Sequence, residues 1–170
     1  MTELHGSKPW FRHGPFALAL IGTVALAGCG SAGTSSAHRT TSTTTVHETL
    51  AQRYTKLVSD GNHRLEQLSK KLNQSYGNVV AIQSGFRQVS STYRQVATSV
   101  QALPFPPAMH NDVAAMVTAL NTLSHDAAQG AESVTPGEFN LIFTNLAAHE
   151  KIEVAANTTV NHDLGIASIN

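Results

Sequence analysis

Residues 79–103 read VVAIQSGFRQVSSTYRQVATSVQAL, and within them Val79, Ile82, Phe86, Val89, Tyr93, Val96, Val100 and Leu103 recur at steps of 3, 4, 3, 4, 3, 4 and 3. That spacing puts all eight on one stripe of an α-helix; a half-buried strand would alternate every second residue. The segment is rich in Val, Ser and Thr, which are mediocre helix formers, so packing against other elements must hold it. Leu103-Pro104-Phe105-Pro106-Pro107 ends the stripe, because proline lacks the amide hydrogen and clashes with the preceding turn.

The same spacing appears on either side. Upstream, Leu50, Tyr54, Leu57, Gly61, Leu65, Leu68 and Leu72 step by 4, 3, 4, 4, 3 and 4, with Gly61 as a weak spot between Asp60 and Asn62. Residues 73–78 (NQSYGN) read as a turn; the alternative is one helix from 48 to 103, with Tyr76 bridging the two stripes. Downstream, Met109, Val113, Met116, Leu120, Leu123 and Ala127 step by 4, 3, 4, 3 and 4, and Gly130 reads as the stop. Thr135-Pro136-Gly137-Glu138 has the form of a capping box with proline in the first helical position. It opens a fourth helix reaching about residue 158, and residues 164–170 read as a frayed tail. Four amphipathic helices with short connections predict an all-α, antiparallel up-down four-helix bundle over residues 47–165.

Charge and composition narrow the function. Lys and Arg number 11, as do Asp and Glu, and only 13% of residues are charged. There is thus no basic surplus to suggest nucleic acid. The halves differ, however: residues 46–103 carry a net charge of +4 and residues 104–170 a net charge of −6. Either the two hairpins attract through their facing edges, or the basic half presents a face to anionic lipid or wall polymer.

The N-terminal part has its own pattern. Lys8 and Arg12 flank an apolar run, residues 16–26 (FALALIGTVAL). Eleven residues are too few to span a bilayer core, which takes about 20, but suit the apolar region of a secretory signal. Leu26-Ala27-Gly28-Cys29 follows, and Cys29 is the only cysteine in the chain. No intramolecular disulfide and no cysteine zinc cluster can form. This tetrapeptide resembles the lipobox of bacterial lipoproteins. The resemblance implies that residues 1–28 are removed as a signal peptide and that Cys29 is acylated. The protein would then sit on the extracytoplasmic face of the cell membrane, with the membrane itself as a partner. Residues 29–46, Ser- and Thr-rich after the cysteine, read as a flexible linker spanning roughly 20–24 Å. As a whole the chain is similar to small, low-charge helical lipoproteins of Gram-positive or actinobacterial envelopes. Over the helices that similarity is architectural and transfers no active residues.

Recognisable chemistry is sparse. The sequence has no G-x-S-x-G elbow, no phosphate-cradling glycine loop and no H-E-x-x-H. Nine histidines are scattered along it; His110 and His125 fall off the apolar stripe. Extending Phe139, Ile142 and Leu146 by the same steps reaches His149, Glu153, Ala156 and Val160. His149 and Glu153, four apart on one helix face, are the candidate ligand or metal pair. If another face of this largely apolar helix is buried, they are solvated instead. Tyr54, Phe86, Tyr93, Phe139 and Phe143 form either core or the lining of an apolar cavity, expected near Phe86, Tyr93 and Phe143. The expectation is a non-enzymatic binding or scaffold domain tethered at Cys29, needing no cofactor and meeting an envelope protein. The alternative is a carrier or sensor holding a small apolar molecule or metal between the helices.

Overall fold

The computed structural model describes residues 48–75 and 77–166. The leader, Cys29, the linker to residue 46 and Tyr76 lie outside the described residues. Four helices follow in order: α1 (Leu50–Gln74), α2 (Val79–Gln101), α3 (His110–Glu132) and α4 (Pro136–Asp163), with one turn of 3₁₀ helix, Pro107–Met109, leading into α3. They form an all-helical bundle. The α2–α3 pair is the closest, and the α1 and α4 backbones scarcely meet.

Local chemistry sets the helix ends. Thr49 and Gln52 form a capping box at the start of α1, with Thr49 N donating to Gln52 Oε1 at 2.8 Å and Gln52 N to Thr49 Oγ1 at 3.2 Å. Asn78 Oδ1 accepts from Ala81 N and starts α2. The predicted box at α4 is present: Glu138 N donates to Thr135 Oγ1, while Glu138 Oε2 accepts from the amides of Val134 and Thr135 at 2.8 Å each. A turn does separate α1 from α2, although Asn73 and Gln74 belong to α1. Residues 164–166 are not frayed: Ile166 N donates to Asn161 O and Gly165 N to His162 O, with Gly165 at φ +67°. This double bond around a left-handed glycine is a Schellman cap.

The apolar stripes meet in one core. Phe86, Val89, Tyr93, Val96 and Val100 of α2 are buried with Leu65 and Leu68 of α1, Met116, Leu120 and Leu123 of α3, and Ile142 and Leu146 of α4. Phe105, read in the sequence as part of a helix breaker, is itself buried and lies edge-on to Tyr54, ring centroids 6.0 Å apart. Gly130 is not a stop but lies inside α3. A Cβ there would sit 2.8 Å from Cγ of Phe86, whose ring occupies the space. Gly61 likewise admits Val96 and Gly85 admits Leu72. Between α2 and α3, Ser124 Oγ donates to Ser90 O at 2.9 Å, and the two hydroxyls lie 3.1 Å apart. Small side chains and satisfied polar groups let these two helices approach closely.

Candidate functional site

Two places in the bundle stand out, and both involve α4. The first is a cleft at the end where α1 finishes and α4 begins. It encloses about 280 Å³, walled by Leu72, Val79 and Ile82 on one side and Val134, Phe139 and Phe143 on the other. Asn73 and Asn140 are its polar contributions. Behind the aromatic wall, Phe86 lies nearly parallel to Phe139 at a centroid distance of 6.0 Å, and tilted against Phe143 at 5.3 Å. Val134 is 61% exposed and Val80, beside Val79, 73%. This end is therefore both recessed and apolar at its margin. The cavity differs from the expected one in position: Phe143 lines it, but Phe86 and Tyr93 are fully buried core.

The second place is the seam between α1 and α4. Glu153 is buried to 1% exposure, and Glu150, one turn before it, is half-buried. Among the described residues neither Oε1 atom has a hydrogen-bond partner. Burial raises the Glu150 carboxyl to about 7, and burial together with the Glu150 charge raises Glu153 to about 8. Tyr54 on α1 and Tyr93 on α2 are pushed up chiefly by burial, and further by the charge of Glu153 on both and of Glu150 on Tyr93. Tyr54 Oη donates to Asn157 Oδ1 at 2.6 Å and spans the seam. At neutral pH Glu153 is thus held as a neutral acid, because burial penalises its charge and, among the described residues, no ion pair compensates it.

The sequence-derived pair divides. Glu153 faces the core as the stripe implied, but His149 turns toward α3, where its Nδ1 lies 2.5 Å from Asp126 Oδ2. The buried positions of α4 are Phe139, Ile142, Leu146, Glu153, Asn157 and Val160, so the stripe passes between residues 149 and 150. Asn157 is buried rather than Ala156. His110 and His125 are exposed, as their spacing suggested. Among the described residues no group of three or more His, Cys, Asp or Glu side chains is placed to hold a metal ion. No described helix is long and apolar enough to cross a membrane.

No protein-family model, curated protein or solved structure matches this chain. The residues sequence reading missed at these places are Glu150, Asn157 and Asp126. Only the acids carried a signal, since Glu150 and Glu153 are three apart and share a helix face.

Proposed function

We propose that this protein is a lipid-tethered, non-enzymatic binding domain on the outer face of a bacterial membrane, and that its end cleft receives an apolar side chain of an envelope protein. The observation that carries the reading is the cleft itself: an apolar recess of about 280 Å³ with Val79, Val80 and Val134 exposed around it. A recess of that size lies at the small end of ligand sites and suits the anchor residue of a protein partner. The tether reading is supported by the lipobox-like residues ending at Cys29. The non-enzymatic reading is supported by the distance between the cleft and the buried acids. Glu153 lies 13 residues beyond Asn140 along α4, about 20 Å at 1.5 Å per residue.

A photo-crosslinker replacing Val134 in the full-length protein tests this in the native host. One defined adduct, lost when Ile82→Asp places a charge in the recess of a still-folded protein, is the expected result. No adduct, or adducts indifferent to Ile82→Asp, overturns it. The recessed aromatics Phe139 and Phe143 favour a second reading, a carrier of a small apolar molecule. Native mass spectrometry of protein from its own host separates the two: a carrier shows extra mass that disappears on denaturation.

A further inference from the structure

The charge asymmetry of the sequence becomes a geometric one in the fold. Between α1 and α2, on the outside of the basic hairpin, runs a groove of about 480 Å³ containing Arg64, Lys71 and Arg87 and no acidic side chain. Gln67, Gln88 and Gln95 supply much of the remaining polar lining. Arg64 Nη1 donates to Gln95 Oε1 at 2.9 Å, a neutral partner that orients the guanidinium without cancelling its charge. Among the described residues no ion pair engages Arg64, Lys71 or Arg87. The only Lys or Arg ion pair there is Lys70–Glu66, within α1. The two hairpins therefore do not neutralise one another through direct pairs, and the basic face remains available to an anionic partner.

We infer that this groove is a docking surface for the anionic phospholipid headgroups of the membrane that holds the tether, so that the bundle lies on its α1–α2 face. The inference rests on the tether reading for its location. Three features fit that occupant. Arginine forks and a lysine, beside amide donors, match phosphate oxygens. The opposite hairpin, at a net −6, is repelled by the same surface, so the charge distribution selects one orientation. On the tether reading the lipid is attached 21 positions before Leu50, the first residue of α1, which holds the α1–α2 hairpin at high effective concentration near the headgroups. Each cation near an anionic leaflet multiplies residence there about five-fold, and three give about a hundred-fold.

The test is lysine footprinting of the full-length lipidated protein, reconstituted in phosphatidylcholine vesicles with or without an equal part of phosphatidylglycerol. A water-soluble acylating reagent is used, with peptide masses as the readout. Lys71 on α1 and Lys151 on α4 are both exposed, which makes the second an internal control. With phosphatidylglycerol, Lys71 modification falls about ten-fold while Lys151 is unchanged. High salt restores it, as does Arg64→Gln with Arg87→Gln. Equal modification of the two lysines on phosphatidylglycerol overturns the inference. So does Lys71 protection on phosphatidylcholine alone that grows with protein concentration, since the occupant is then a second copy. Failure of the tether reads differently, as protein that leaves both kinds of vesicle in high salt.

Discussion

Replacing Glu153 with glutamine should stabilise this protein at neutral and mildly alkaline pH, and remove much of its pH dependence. The carboxyl titrates near 4.5 in the unfolded chain and near 8 in the fold. Between those values the native state keeps a proton that the unfolded state has lost. Stability therefore falls as pH rises through that window, with a limiting slope of about 1.4 kcal/mol per pH unit. Integrated to pH 7, the burial of this one acid costs about 3 kcal/mol, a large share of the 5–15 kcal/mol typical of a domain. Glu150 acts in the same direction by a smaller amount, its carboxyl being raised to about 7. Glutamine keeps the volume and is neutral at every pH, so the variant should match wild type near pH 5 and exceed it by up to about 3 kcal/mol near pH 8. Urea unfolding followed by circular dichroism reads this as a midpoint difference of about 1–3 M, for slopes of about 1–3 kcal/mol per molar. Parallel pH profiles for the two proteins, or wild-type stability that climbs from pH 5 to pH 8, would refute a neutral buried acid at this position.

Three further substitutions probe the packing. Gly130→Ala should destabilise by about 1–3 kcal/mol in thermal unfolding despite alanine's better helix propensity, because its Cβ displaces the Phe86 ring, and Phe86→Leu should recover part of the loss. Tyr54→Phe removes the 2.6 Å bond across the α1–α4 seam and should cost about 1–2 kcal/mol, measured by urea midpoint. Thr135→Ala breaks the α4 capping box and should cost about 1 kcal/mol, with amide exchange rising first over residues 136–140.

What the sequence could reveal followed from how strictly each feature repeats. The α2 and α3 stripes were legible because every step from Phe86 to Val100, and from Met109 to Ala127, lands on a buried position. The α4 face was harder, because a helix of 3.6 residues per turn drifts off any strict alternation of threes and fours. Near residue 149 that drift carries the buried line between His149 and Glu150. Glu153 was found on the line, but its meaning was not: a carboxyl reads as a ligand or a solvated charge until its burial with an unpartnered Oε1 is seen. Gly130 was misread for a different reason. Glycine ends helices as a local tendency, and here a tertiary neighbour, Phe86, decides the role instead. The cleft had no sequence signal, since it is assembled from the ends of three helices and a turn.

The glycines at 61, 85 and 130 act as keyways. Val96 and Leu72 lock α1 to α2 at two heights, and Phe86 locks α2 to α3 at a third. Two locks on one helix pair forbid axial sliding, so the first three helices form a frame of fixed register. None of these keyways lies on α4, which packs along α3 and reaches α1 through the Tyr54–Asn157 hydrogen bond. Mutational drift at a keyway must be matched by its partner. One wall of the cleft, Leu72, Val79 and Ile82, thus belongs to the frame, while Phe139 and Phe143 ride on α4 against the ring of Phe86. The width of the cleft is therefore tied to Phe86, which fills the Gly130 keyway and also backs the aromatic wall.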